Sequence, residues 1–117
     1  MNNKKIIIAN WKMNPSSLEE ALRLVKNISS ERFDGSIELI IAPPFVYLES
    51  VKKNLNKEIK LAAQNVSWGE RGAYTGEISA LMLKNIGCDY VIVGHSDRRY
   101  KIGETDEMIN LKIKAAF

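Results

Sequence analysis

"YVIVGHSDRRYKIGETDE", residues 90–107, passes from an apolar run into polar chemistry within five positions, and it carries the chain's single histidine, His95. A short run rich in Val and Ile, closed by glycine, has the signature of a strand buried on both faces, as in parallel sheets covered by helices. Three further runs share that character: "IIIA" from Ile6, "IELIIA" from Ile37 and "LAA" from Leu61. Their starts lie roughly 25 to 30 residues apart, the span of one strand and its crossover helix. Alternating β and α units with a parallel sheet are therefore expected, an α/β fold.

The segments between the runs carry helix signals. Ser16 and Glu19 have the capping-box spacing, and Leu18, Ala21, Leu22, Val25 and Ile28 follow at helical period, which predicts a helix ending near Ser29. "PPFVYLESVKKNL" opens a helix with two prolines, where a missing N–H is harmless, and turns Val51 and Leu55 inward. Ser79 caps "ALMLKNI" and Gly87 supplies a left-handed stop. Thr105 caps "DEMINLKIKAAF", with Asp106 and Glu107 placed to favour the helix dipole. That last pattern ceases at Phe117 without a stop signal, so the helix is expected to be truncated. "NVSWGERGAYTGE", residues 65–77, holds three glycines and no period, a long connection of the functional kind.

Bulk properties bound the rest. A chain of 117 residues forms one domain, 1–117, and buries a little under two-thirds of its unfolded surface. With 45% hydrophobic and 26% charged residues it is ordinary globular material. The net charge is only +3, and its 17 basic residues form no stripe with interleaved aromatics, which speaks against a nucleic-acid partner and leaves a phosphorylated small molecule compatible. One cysteine, Cys88, makes no internal disulfide, and the N-terminus has too short an apolar core for a signal peptide. No run approaches a membrane span. A cytoplasmic location and no membrane partner are expected.

In alternating β/α proteins the loops leaving the C-terminal ends of parallel strands share one face, and ligands bind there. The exits carry Asn10 and Lys12, then Pro43 and Pro44, then Gln64 and Asn65, then His95, Ser96 and Asp97. Lys12 is either a solvated loop lysine or an electrostatic clamp on a phosphate or developing oxyanion. His95 is either a structural histidine bonded at a strand end or a ring kept neutral by the start of a helix, able to donate a proton to a carbonyl. Trp11, Trp68 and the four methionines read as packing, Cys88 as a buried apolar group, and Arg98 with Glu104 as a local ion pair. There is no metal-ligand cluster and no phosphate-cradling glycine motif, so no cofactor and no metal are indicated.

Taken together, "ANWKMN", "APPF", "AAQN" with "GAYTGE", and "VIVGHSDRR" with "GETDE" resemble triosephosphate isomerase, in order and spacing over essentially the whole chain. The resemblance is to the N-terminal half of that enzyme, a (β/α)8 TIM barrel that interconverts dihydroxyacetone phosphate and glyceraldehyde 3-phosphate through an enediolate without metal or cofactor. It implies four strands of eight, a half barrel. It further implies Asn10 and Lys12 as substrate-binding residues, Lys12 and His95 as catalytic ones, with Ser96 and Asp97 in support. His95 would be the neutral electrophile, a case that serves as a standing example of pKa tuning. The loop around Thr75, with Tyr74 and Gln64, would form the interface of a homodimer.

Two departures bear on function. Asp97 stands where the family has glutamate, a side chain shorter by one C–C bond of about 1.5 Å. The family's glutamate base, its lid and its later phosphate loops match nothing before Phe117, and Glu70, Glu77 and Glu104 do not occupy the base position. Without a positioned base, proton abstraction loses about 10² to 10⁴ in rate, so the chain alone is expected to be inactive. Two open sheet edges and an apolar face imply self-association, and a non-catalytic half barrel that self-associates or binds phosphorylated metabolites is the alternative reading.

Overall fold

A computed structural model describes residues 3–117. Strand β1 spans Lys5–Asn10 and helix α1 Leu18–Ser29, followed by β2 at Ile37–Ala42. A 3-10 turn at Phe45–Tyr47 runs into α2, Leu48–Asn54, and then come β3 at Lys60–Ala63, α3 at Ala80–Ile86 and β4 at Tyr90–Val91. A wide helical turn, Arg98–Ile102, leads into α4, Asp106–Ala116. The strands make one parallel sheet in the order β1-β2-β3-β4. Each crossover places the next strand beside the last, as in the first four units of a (β/α)8 barrel.

Register separates the two faces. Ile8 lies opposite Ile40, Asn10 opposite Ala42, and Ala62 opposite Tyr90. Side chains alternate along a strand, so Ile40, Ala42 and Ala62, with Ile92 against them, line the inner face. Leu39, Ile41, Leu61 and Ala63 point outward into a second cluster with Val25, Val51 and Leu83 from α1, α2 and α3. On the inner side the Tyr90 hydroxyl donates to Glu38 Oε2 at 2.9 Å, reaching from β4 past β3 to β2.

Burial on both faces holds for β2 and β3 and fails at the edges. Ile6, Ile7 and Ile8 of β1 are 58%, 49% and 53% exposed, because β1 has a neighbour on one side only and α1 packs against α2. The "YVIV" run contributes a two-residue strand, prolonged by one bond from Ile92 N–H to Ala63 O at 2.8 Å. Beyond Ala63 there is no partner strand left to extend the ladder, and Gly94 at φ 71 turns the chain away.

The helix starts follow side-chain capping. Ser17, not Ser16, caps α1: the sequence offers the Ser-x-x-Glu spacing twice, and the extended backbone at Ser17 (φ -138, ψ 151) lets its hydroxyl accept from Glu20 N–H at 3.2 Å. Ser79 and Thr105 cap α3 and α4 as expected. Gly87, at φ 103, ends α3 with Cys88 N–H donating to Leu83 O and Gly87 N–H to Lys84 O, a Schellman pair. Leu55 lies just past the end of α2 instead of inside it, though it still packs on the outer cluster. Of the aromatic and sulfur side chains expected to pack, Trp11 and Cys88 are half-buried against the outer cluster, whereas Trp68 and Met13 are exposed on loops and Met82 and Met108 are exposed on α3 and α4, whose buried positions go to Leu83 and Ile109; Met1 lies outside the described residues.

Candidate active site

Every strand exit faces the same rim, and the site assembles from the backbone outward. Asn10 Oδ1 accepts from Lys12 N–H at 2.9 Å, fixing a tight turn directly after β1. Lys12 sits at φ 57, a left-handed conformation that costs a non-glycine residue about 1–2 kcal/mol. Its carbonyl accepts from Gln64 Nε2 at 2.8 Å, and the same amide donates to Ala42 O at 2.8 Å. Trp11 N–H donates to Ala42 O as well, at 3.0 Å. One glutamine thus ties the exits of β1, β2 and β3, and the strained turn at Lys12 is held from both sides.

From that turn the Lys12 ammonium reaches across the concave face to β4's exit, where Nζ stands 3.4 Å from Asp97 Oδ2. The shorter aspartate therefore still meets Lys12. Both partners are partly exposed, so the pair is worth about 0–1 kcal/mol and serves chiefly to point the cation.

His95 follows Gly94. Its Nδ1 accepts from Asp97 N–H at 3.0 Å, whereas the Asp97 carboxylate is 3.6 Å away, beyond hydrogen-bonding distance. A ring nitrogen that accepts carries no proton, so this bond assigns a neutral ring with the proton on Nε2. The ring is 28% exposed, and Nε2–H is the atom it offers to a ligand. Ser96 is exposed in the turn that begins here, with Arg98 and Arg99 N–H both donating to His95 O.

The turn behind His95 is anchored by charge. Glu104 Oε2 accepts from Arg98 Nε at 2.6 Å and from Lys112 Nζ at 2.7 Å, and Lys112 also donates to Asn65 Oδ1 at 2.9 Å. The side chains of Glu104 and Lys112 are 2% and 3% exposed. Burial alone would raise the Glu104 pKa, but the hydrogen bonds and charges of Lys112 and Arg98 outweigh it and hold the carboxyl below its usual range. The Arg98–Glu104 pair expected from sequence is present, though as one arm of this cluster, which joins the β4 exit to α4 and to the residue after Gln64. Arg99 adds Nε to Gly94 O at 2.8 Å and a contact of 2.7 Å to Asp106.

Sequence reasoning placed Asn10, Lys12, His95, Ser96 and Asp97 on this rim, and they are found there. It passed over Lys112, whose signal was a position three residues after the buried Ile109 on one helix face. Gln64, assigned to a dimer interface, has both its amide hydrogens committed inside the chain. Tyr74 and Thr75 are exposed on the long loop, where Tyr74 folds back so that a Cβ on Gly69 would stand 2.8 Å from its ring. Among the described residues no three His, Cys, Asp or Glu side chains gather to hold a metal. An apolar groove of about 820 Å³ runs beside β4 between α3 and the end of α4, away from the rim.

The family described as Triosephosphate isomerase matches residues 5–117 of the chain. The chain belongs to that family. A triosephosphate isomerase of Alkaliphilus oremlandii is 53% identical over 114 residues, covering 97% of this chain and 46% of the relative. One from Dehalococcoides mccartyi is 56% identical over 117 residues, covering 97% and 45%, and one from Thermoanaerobacter pseudethanolicus is 48% identical over 114, covering 97% and 46%. The chain thus spans just under half the length of these triosephosphate isomerases. The four parallel strands are those of a half barrel, matching the first half of the family's fold.

Proposed function

We propose that this chain supplies the electrophilic and phosphate-clamping side of a triose-phosphate isomerisation, with a triose phosphate as substrate. The observation that carries the reading is that Asp97 brings Lys12 and His95 together: its carboxylate stands 3.4 Å from the Lys12 ammonium, and its backbone N–H donates to His95 Nδ1 at 3.0 Å, which leaves the ring's Nε2–H to a ligand. A carbonyl oxygen placed there receives the His95 Nε2 proton as a hydrogen bond, which makes the neighbouring carbon acidic. Lys12 offsets the phosphate charge and the charge growing on the enediolate oxygen, and Asn10 holds the Lys12 turn. Ser96 and Asp97 support His95, Asp97 through its backbone N–H.

The base that removes the carbon-bound proton comes from outside this set. Glu104 is committed to Arg98 and Lys112, and Glu70 and Glu77 stand in solvent on the long loop. The 117-residue chain alone is accordingly inactive. The exposed Tyr74 and Thr75 support a homodimer contact through that loop. A cytoplasmic setting fits a phosphorylated sugar substrate, and none of the described helices is long and apolar enough to cross a membrane.

The test mixes the purified chain with the separately expressed remainder of the Alkaliphilus oremlandii relative and follows glyceraldehyde 3-phosphate isomerisation. Activity is expected only in the mixture, falling by about 10² to 10⁴ in kcat with His95→Gln, and with KM raised by Lys12→Met. Mixtures that remain inactive, or that keep full activity with His95→Gln, contradict the reading.

A further inference from the structure

The bonds made at Lys12 itself are open to water: its N–H donates to Asn10 Oδ1 and its C=O accepts from Gln64, both at exposed positions. Water competes for such groups, so each bond adds little on its own. A left-handed backbone at a lysine persists only where its surroundings over-determine it. The segment after Lys12 supplies a hold that water does not contest. Asn14 Nδ2 donates back to Trp11 O at 3.3 Å, closing the turn around Lys12, and the Pro15 carbonyl then accepts from the Tyr47 hydroxyl at 2.9 Å. That last bond joins positions 32 apart and is half-buried. Among the described residues it is the one hydrogen bond from 13–17 to a segment outside the β1–α1 connection.

Tyr47 is itself fixed. Its N–H donates to Pro44 O at 3.0 Å, which sets its backbone at the end of the 3-10 turn, directly ahead of α2. Its ring packs against the outer cluster between the sheet and the helices. A tyrosine has two side-chain torsions, so a packed ring leaves its hydroxyl little freedom. The hydroxyl therefore offers Pro15 a donor whose place is set by the core.

We propose that Tyr47 is a positioning residue for Lys12: by holding the far end of the turn at Pro15, its hydroxyl keeps the Lys12 ammonium aimed across the concave face toward Asp97 and His95. The inference rests on the role given to Lys12 above. Tyr47 acts through the backbone of residues 12–15 and touches no substrate. Released at Pro15, the turn relaxes toward the extended region, where a non-glycine residue is unstrained. The ammonium then swings away from Asp97 Oδ2, which it meets at 3.4 Å.

Tyr47→Phe keeps the ring in the cluster and removes only the hydroxyl. Amide exchange of the 117-residue chain, followed by NMR, reads the turn without reference to catalysis. The Lys12 amide should exchange about 2 to 10 times faster in the variant, the factor that one hydrogen bond is worth, whereas the amides of Ile40 and Ile41 in β2 should be unchanged. In the mixture with the remainder of the Alkaliphilus oremlandii relative, KM for glyceraldehyde 3-phosphate should rise about 2- to 10-fold with kcat little changed. A Lys12 amide that exchanges as in the wild type overturns the proposal, as does faster exchange with an unaltered KM. So does a rise shared by Ile40 and Ile41, or a variant that fails to fold, since either makes the hydroxyl a support of the whole core. If the wild-type mixture is inactive, the proposed function falls, and the exchange of Lys12 relative to β2 still decides whether Tyr47 holds the turn.

Discussion

Removing Lys112 tests the charge cluster that anchors the His95 turn. The ammonium lies 2.7 Å from Glu104 Oε2 and 2.9 Å from Asn65 Oδ1, with 3% of the side chain exposed. Lys112→Met leaves a buried carboxylate with Arg98 as its one remaining cation, and it orphans the Asn65 oxygen. Breaking a buried ion pair from one side costs about 3–5 kcal/mol, and stability for a chain of this length is about 6–18 kcal/mol at about 0.05–0.15 kcal/mol per residue. The variant should therefore lose a substantial share of its stability, which at a slope of about 1–3 kcal/mol per M lowers the urea midpoint by more than about 1 M. Glu104→Gln should cost at least as much at neutral pH, because it strands a buried ammonium. The double variant should lose less than the two single losses added, since the fully buried ammonium and carboxylate go together and only the partly exposed Arg98 loses its partner. Urea unfolding of all four proteins at one protein concentration gives the cycle. A Lys112→Met loss below about 1 kcal/mol, or simple additivity, would refute the claim that this buried pair holds the turn.

The same carboxyl sets an acid limit. Its native pKa lies below its unfolded one, so its contribution is complete above the unfolded value and is lost as pH falls through the native one; the wild-type urea midpoint should drop on acidification below the ordinary carboxylate range, and Glu104→Gln should show a shallower fall. Gly94→Ala places a Cβ 3.1 Å from Ile109 at a φ of 71, and should lower stability by about 1–2 kcal/mol while shifting the His95 ring resonances in an NMR spectrum. An unchanged melt and spectrum would contradict the account of that turn. Burial, reinforced by Asp89, pushes the Cys88 thiol up to about 11; its labelling by a thiol reagent at pH 8 should be slow and should accelerate with urea in step with unfolding.

Much of this architecture could be read from local pattern. The four strands declared themselves because an unbroken Ile and Val run needs cover on both sides, and the rim followed because parallel strands send their exits to one face. Ser79, Gly87 and Thr105 were legible because a cap is a local bargain between one side chain and the adjacent N–H or C=O groups. Ser17 was missed where two serines offered the same spacing, a choice decided by the extended backbone at Ser17 that lets its hydroxyl accept from Glu20 N–H. The exposure of β1 was hidden because an apolar run reports what a strand requires, not which neighbours it has. Lys112 was hidden because a lysine in a helix normally reaches solvent, and only the meeting of Glu104 and Asn65 from distant segments makes it interior. The double grip of Gln64 on Lys12 and Ala42 depends likewise on three exits lying side by side, which no single stretch encodes.

The packed interior belongs to β2 and β3, whereas Asn10 and Lys12 hang from β1 and His95 and Asp97 from β4. The residues of the proposed site and the most deeply packed side chains are thus carried by different strands. A melt followed by bulk spectroscopy reports on the middle of the sheet and stays silent about the rim. Substitutions that tilt an outer strand by a fraction of an ångström can separate Lys12 from His95 while the transition midpoint stays where it was. The effect of a substitution in β1 or β4 is therefore read at the rim, and that of one in β2 or β3 in the melt.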